Sequence, residues 1–155
     1  MVKLRVYIDT SVIGGCFDDE FSFWSKKLFD EFYSGAKMAV VSDLTRRELE
    51  GAPDKVRNLL STLVQPSLEN VSLSEEAEQL ASEYLKYKVV KPKDLADAQH
   101  IAMASVERVD VVVSWNFKQI VNLKRIRAFN AVNLRLGYPM LEIRSPREVL
   151  DEKRL

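Results

Sequence analysis

The sequence predicts an α/β domain with a central, mostly parallel sheet. Short apolar runs rich in β-branched residues, such as Val111-Val112-Val113, alternate with segments whose apolar residues recur at helical spacing. This alternation is typical of a parallel sheet covered by helices, and an uninterrupted apolar triplet is typical of a central parallel strand. The chain has 155 residues, no internal repeat and no Gly/Pro/Ser-rich linker. Residues 1–155 are therefore predicted to form a single domain.

The first half of the chain begins with a strand and continues mainly with helices. Residues 2–8 alternate in polarity and end at the polar turn that starts with Asp9, which predicts a buried strand. Apolar residues recur at helical spacing over 23–33, and Gly35 ends this predicted helix. Residues 38–41 form a second short apolar run and predict another strand. Two further helices are predicted at 45–49 and 53–63.

The second half contains the longest predicted helices. Ser74, followed directly by two glutamates, opens a predicted helix over 74–87. Small and apolar residues share one face of a predicted helix over 94–106, which leads into the strand 111–113. The remaining predictions are a short helix near 117–123, an edge strand at 140–143 and a terminal helix at 146–150.

The charges balance overall but are distributed unevenly along the chain. The 23 Lys and Arg residues equal the 23 Asp and Glu residues, yet residues 1–78 carry a net charge of −5 and residues 79–155 one of +5. Between Lys118 and Arg147 there are seven basic residues and one acid. A neutral total argues against binding nucleic acid through bulk charge. The asymmetry is compatible with a local site for a polyanion and equally with a solvated surface.

The composition also limits the compartment and the kinds of site. A single cysteine, Cys16, excludes an intramolecular disulfide and any cysteine-clustered metal site. No apolar run approaches the ~20 residues of a membrane span, and the N-terminus does not have the pattern of a signal peptide. Neither the Walker nor the dinucleotide glycine fingerprint is present. We therefore expect a cytoplasmic protein with no membrane association.

Acidic residues lie where an α/β sheet binds its ligands, at the carboxyl ends of the strands. Asp9 follows the first strand, and Glu48 lies in the helix after the second. Asp94 and Asp97 are three residues apart on one helix, where like charges repel each other. A divalent cation would offset that repulsion, and oxygen ligands of this kind select Mg²⁺ or Mn²⁺. Taken singly, each acid is better explained as a helix cap or as part of a capping box than as a catalytic group.

Four short motifs follow one another along residues 4–120. They are Tyr7-Ile8-Asp9-Thr10-Ser11, then Val40-Val41-Ser42 with Glu48-Leu49, then Asp97-Ala98 with Ile101-Ala102 and Ala104, and finally Val112-Val113-Ser114-Trp115-Asn116-Phe117. Each is weak alone, but in this order they resemble the PIN-domain family, and more narrowly the VapC-like toxins of type II toxin–antitoxin systems. The resemblance implies a three-layer α/β/α fold and a metal-dependent endoribonuclease that hydrolyses RNA phosphodiester bonds with a metal-activated water.

The resemblance also implies roles for individual residues. It implies that Asp9, Glu48 and Asp97 are the ligands of a Mg²⁺ or Mn²⁺ ion. Ser11 matches a residue that helps to order the first acid, and Asn116 stands at a catalytic position where many active members carry Asp. Gln119 stands where a second acid often follows, so both departures lower the negative charge of the pocket. The implied partners are an RNA substrate, a small antitoxin protein and a second copy of the chain.

Further residues are candidates for supporting roles. His100, the only histidine, is three residues from Asp97 and could hydrogen-bond its carboxylate, although packing in the core is the commoner role of a lone histidine. Asp94 lies one helical turn from Asp97 and could compensate for the missing acids. The candidate RNA contacts are the basic residues Arg46, Lys118, Lys124, Arg125 and Arg127.

Two other functions stay open on the sequence. Asn116 and Gln119 favour a catalytically weakened PIN-like domain that binds RNA or a protein without cutting. An acid after the first strand also suits a phosphatase of the haloacid dehalogenase type, but that motif needs Asp-x-Asp, and Ser11 occupies its second acidic position.

Overall fold

A five-stranded sheet forms the centre of the molecule, in a computed structural model that describes residues 3–151. The strands are β1 (Leu4–Ile8), β2 (Lys37–Ser42), β3 (Leu68–Val71), β4 (Val111–Val113) and β5 (Glu142–Arg144). Their order is β3-β2-β1-β4-β5, and every neighbouring pair is parallel. The predicted α/β class with a central parallel sheet is confirmed.

In the described part of the chain, eight helices connect and cover these strands. They are α1 (Thr10–Gly15), α2 (Ser22–Tyr33), α3 (Asp43–Leu49), α4 (Asp54–Ser61), α5 (Glu75–Lys86), α6 (Leu95–Val106), α7 (Leu123–Arg135) and α8 (Pro146–Val149). A 3-10 turn, Pro92–Asp94, leads into α6. None of the helices within residues 3–151 is long and apolar enough to cross a membrane.

Alternation along the strands divides the core into two layers. Val6 and Ile8 of β1 are buried against α1, α2 and α4. Tyr7, which points to the other face because strand side chains alternate, is buried against α5, α6 and α7. Both faces of the sheet are thus covered, which confirms the three-layer α/β/α architecture.

The predicted short helix at 117–123 is wrong. Residues 117–120 form a turn, and a thirteen-residue helix, α7, begins at Leu123 instead. The Asn122 side chain accepts a hydrogen bond from the Arg125 backbone N–H, so this asparagine is the N-cap that starts α7. The apolar spacing that would predict α7 is interrupted in the sequence, because the polar residues Asn130 and Asn133 occupy part of its buried face.

Two more elements were not predicted from the sequence. Helix α1 carries three β-branched residues and two glycines, which disfavour a helix locally. Strand β3 is an edge strand of four residues with two polar side chains and no strong apolar pattern. The edge strand predicted at 140–143 lies two residues later, at Glu142–Arg144. The prediction for the strand 2–8 extends to Val2, which lies outside the described residues.

Candidate active site

Asp9 is held rigidly where β1 ends and α1 begins. Its side chain is almost fully buried and caps α1, because Oδ1 accepts hydrogen bonds from the Ser11 hydroxyl (2.6 Å) and the Val12 backbone N–H (3.3 Å). Its Oδ2 accepts a hydrogen bond from the Ser114 hydroxyl at 2.6 Å. Both carboxylate oxygens are therefore oriented by neighbouring hydroxyls.

The same two serines join the ends of β1 and β4. The Trp115 backbone N–H donates to the Ser11 Oγ at 2.9 Å, and the Asn116 backbone N–H donates to the Ser114 Oγ at 2.9 Å. Ser114 was not among the predicted site residues. It directly follows a central strand that neighbours the strand ending at Asp9, and this position could have identified it as a site residue.

Glu48 lies on α3 and contacts two other elements. Its Oε1 accepts a hydrogen bond from the Thr10 hydroxyl at 2.8 Å and lies 2.8 Å from the His100 Nε2. Partial burial raises the pKa of Glu48, but the hydrogen bonds with His100 and Thr10 and the electrostatic effect of His100 outweigh burial and bring this pKa below its usual value. The capping-box interpretation of Glu48 is wrong, because Ser42 caps α3.

His100 connects Glu48 to the buried centre of the sheet. It is 3% exposed, and its Nδ1 lies 2.5 Å from the Tyr7 hydroxyl, which donates to the Ser42 Oγ at 2.8 Å. The carboxylate that His100 contacts is that of Glu48, and not that of Asp97, which its helical spacing made a possible partner. Because both ring nitrogens have partners, His100 fixes the orientation of Glu48 relative to α6.

Asp97 lies among like charges. Burial and, to a smaller extent, the carboxylates of Asp94, Asp9 and Glu48 together raise its pKa to about 6, against the opposing effect of His100. Asp94, Asp9 and Glu48 therefore lie within electrostatic range of Asp97, although the four acids come from three separate chain segments.

Asp94 does not act as the helix cap that its position allowed. It occupies the N-cap position of α6 but makes no capping hydrogen bond with its side chain. Within residues 3–151 its Oδ2 is buried and has no hydrogen-bond partner. A buried carboxylate oxygen without a donor is costly, and a cation or a water bound beside it would satisfy it.

The donor chemistry of the cluster suits a hard divalent cation. All the candidate ligands are carboxylate oxygens, which Mg²⁺ and Mn²⁺ prefer. A cation bound here would also serve the Asp94 Oδ2, which has no hydrogen-bond partner within residues 3–151, and would favour the ionised form of Asp97. Within the part of the chain that the structure describes, no three His, Cys, Asp or Glu side chains are already arranged to hold a metal ion. Binding would therefore require side-chain rotation.

Asn116 has its amide oxygen engaged in a turn. The Oδ1 accepts a hydrogen bond from the Gln119 backbone N–H at 3.0 Å. Gln119 in turn accepts a hydrogen bond at 3.1 Å from the guanidinium of Arg125, which also donates to the Val89 carbonyl. The Asn116 side chain therefore caps the turn that follows β4.

The candidate RNA-contacting residues lie on three different elements. Arg46 on α3 is exposed and donates two hydrogen bonds to the Asn70 side chain at the end of β3. Lys118 is exposed in the turn after β4, and Lys124 is exposed at the start of α7. Arg127 is exposed as well, whereas Arg125 is half-buried.

Comparisons with known proteins agree on the fold. No protein-family model matches the chain, and no curated protein sequence matches it. The structure is similar to the Mycobacterium tuberculosis toxin VapC20, described as cleaving the sarcin-ricin loop, with a TM-score of 0.57 and 12% identity over 88% of this chain and 98% of that one.

Two other similar structures come from toxin–antitoxin proteins. FitAcB from Neisseria gonorrhoeae matches with a TM-score of 0.56 and 14% identity over 91% of this chain and 97% of that one. VapBC2 from Rickettsia felis, bound to a promoter DNA fragment, matches with a TM-score of 0.55 and 13% identity over 90% and 97%. The chain therefore has the fold of the PIN-domain VapC toxins, which confirms the resemblance at the level of the fold.

Proposed function

We propose that this protein is a Mg²⁺- or Mn²⁺-dependent endoribonuclease and the toxin of a type II toxin–antitoxin system, active in the cytoplasm. The observation that carries the proposal is the convergence of Asp9, Glu48, Asp94 and Asp97 beside the carboxyl ends of β1 and β2, where Asp97 acquires a raised pKa. Similarity of fold to a toxin described as cleaving the sarcin-ricin loop supports the choice of RNA.

The side chains of the cluster have separate tasks in this function. Asp9, Glu48 and Asp97 would hold the cation, which would lower the pKa of a water and neutralise charge developing on the phosphate. Ser11 and Ser114 orient the Asp9 carboxylate. Thr10 and His100 keep Glu48 ionised and in place at neutral pH.

Cleavage of a labelled single-stranded RNA by the purified protein tests the proposal. We expect cleavage with Mg²⁺ or Mn²⁺ and none with EDTA. The variants Asp9→Asn and Asp97→Asn remove one negative charge each while keeping side-chain size, and each is expected to lower the rate at least 100-fold. Undiminished cleavage by both variants would refute the assignment.

A matched control is available at the opposite edge of the sheet. Asp110 precedes β4 and accepts a hydrogen bond from the Arg5 backbone N–H at 2.7 Å. The variant Asp110→Asn removes the same charge and retains an acceptor oxygen, and it should cleave RNA like the wild type. A comparable loss of cleavage rate in this control would mean that instability, and not the lost charge at the site, explains the effect of the site variants.

An antitoxin partner and a homodimer belong to the same proposal. The similar structures include toxin–antitoxin complexes, among them one from Klebsiella pneumoniae with 16% identity, which supports a small protein partner. Expression of the chain alone should arrest bacterial growth, and Asp97→Asn should not. Growth arrest that persists in this variant would mean that toxicity does not depend on the acid cluster.

A domain that binds RNA or a protein without cutting is the second candidate. It is favoured by the engagement of Asn116 in a turn and by the acids not being arranged in advance around a metal. RNA binding that is insensitive to Mn²⁺ and is followed by no cleavage would establish it. If Asn116→Asp then gains metal-dependent cleavage, the lack of an acid at position 116 explains why the wild type does not cleave RNA.

The phosphatase alternative lacks its second acid in the structure too. Ser11 donates a hydrogen bond to Asp9 rather than supplying a carboxylate beside it. Detection of a covalent phosphate on Asp9 after incubation with a phosphomonoester would nevertheless favour that alternative over the nuclease.

A further inference from the structure

A pocket with only basic charged groups lies between the segment that follows α5 and the first turns of α7. Its volume is about 250 Å³. The charged residues that line it are Lys88, Lys91, Lys124 and Arg125. Four cations around one small cavity repel each other unless an anion occupies it or water screens them.

The backbone around the pocket is fixed, although its lysine side chains are exposed. Val89 and Val90 are buried in the core beside α6. The guanidinium of Arg125 donates to the Val89 carbonyl, which ties α7 to this segment. Lys88 has a positive φ of 60°, so the chain turns sharply where the pocket is lined. The positive charges are thus presented by a rigid frame.

The pocket is connected to the acid cluster by two short routes. Along the chain, Lys91 precedes Asp94 by three residues. Through space, Arg125 donates to the Gln119 side chain, and the backbone N–H of Gln119 donates to Asn116, which lies two residues beyond Ser114. A chain of hydrogen bonds and one short loop therefore lead from the pocket to the residues that orient Asp9.

We propose that this pocket binds a backbone phosphate of single-stranded RNA next to the phosphate at the acid cluster. The inference rests on the proposed ribonuclease function and deepens it. Negative charge at the cluster and positive charge beside it are complementary to a substrate whose neighbouring phosphates must be held while one is attacked. The pocket thus positions the RNA along α7 and makes no contact that depends on base identity.

Affinity for a fluorescein-labelled 12-nucleotide single-stranded RNA, measured in EDTA at several salt concentrations, tests this inference without cleavage. The test variant is Lys91→Gln/Lys124→Gln, which leaves the structural contacts of Arg125 intact. The control variant is Lys26→Gln/Lys55→Gln, which changes net charge equally on α2 and α4, across the sheet from the pocket.

The test variant should bind about 5-fold more weakly at ~0.1 M salt, and its slope of log affinity against log salt should fall by about 0.7, because the pocket holds one phosphate and each single-strand phosphate contact contributes about 0.7. The control should change affinity less than 3-fold. Equal losses in the two variants, or an unchanged salt slope, would overturn the proposal.

Three further outcomes distinguish failure of this inference from failure of the proposed function. If the wild type cleaves RNA and the test variant binds and cleaves like the control, only the pocket assignment fails. If the test variant loses affinity for polyglutamate but not for RNA, the pocket belongs to an acidic protein segment, which also overturns the proposal. A wild type that neither binds nor cleaves RNA would refute both.

Discussion

Replacing Asp97 by asparagine is expected to stabilise the metal-free protein. The Asp97 pKa rises from 3.8 to about 6 on folding because burial and the carboxylates around it disfavour its charged form. In the unfolded chain the group loses its proton near pH 3.8, so the native state holds more protons between pH 3.8 and 6. Stability therefore falls as pH rises through this interval, and the full penalty is present above pH 6.

The magnitude follows from the size of the shift. About two pKa units correspond to ~3 kcal/mol as an upper bound. Because the side chain is only half-buried and its interactions are screened by water, we expect about 1 kcal/mol. Asp97→Asn should gain this amount in free energy of unfolding at pH 7.5, about half of it at pH 5, and nothing near pH 3.

Urea unfolding in EDTA at these pH values measures the effect. Asp19→Asn is a matched control, because Asp19 is exposed in the turn before α2, and its free energy of unfolding should stay within ~0.5 kcal/mol of the wild type. Adding Mg²⁺ or Mn²⁺ should reverse the order, since a cation at 100 times its Kd stabilises the wild type by about 2.7 kcal/mol. A destabilised Asp97→Asn at pH 7.5 would refute the electrostatic interpretation of the cluster.

Three further substitutions test the framework that positions the site. Gly15→Ala should destabilise the protein by about 2 kcal/mol, because a Cβ there would lie 2.7 Å from the Trp115 Nε1; a thermal melt unchanged from wild type would contradict this packing. Asn122→Ala should cost about 1 kcal/mol in urea unfolding by removing the cap of α7, and Asn122→Asp should recover only part of this loss, because it keeps the capping oxygen but cannot donate to the Phe117 and Lys118 carbonyls as the Asn122 Nδ2 does. Lys37→Met should cost about 3 kcal/mol, because it breaks the buried ion pair with Glu31, and an unchanged unfolding midpoint would count against that pair.

The fold class could be predicted because the apolar runs of the buried strands are local and continuous. The structure confirms the run Val111-Val112-Val113 as a central parallel strand. Helix α7 could not be predicted in the same way, since polar partners from elsewhere satisfy the asparagines on its buried face. Asn133 donates to the Ser105 hydroxyl, and Asn130 bonds the backbone of Leu141. Such partners are distant in sequence and leave no periodic pattern.

The acids of the candidate site could be chosen from sequence, but their partners could not. Asp9 follows a strand and Asp97 opens a helix, and these positions are visible in the chain. The contact of His100 with Glu48 was missed because helical spacing relates His100 to Asp97, whereas Glu48 reaches it across 52 residues. Spacing along the sequence identifies possible partners on the same helix. The contact between Glu48 on α3 and His100 on α6 depends on how these two helices are placed in the fold.

The uneven charge along the chain gains a different meaning once the topology is known. The acidic first half supplies Asp9 and Glu48, but Asp94 and Asp97 come from the basic second half. Directly before these two acids lies the segment with Lys88 and Lys91. Opposite charges are thus placed within ten residues of each other at one edge of the sheet. This arrangement matches the charge pattern of a substrate with regularly spaced phosphates. One phosphate would lie at a cation held by the acids, and the next would lie at the lysines.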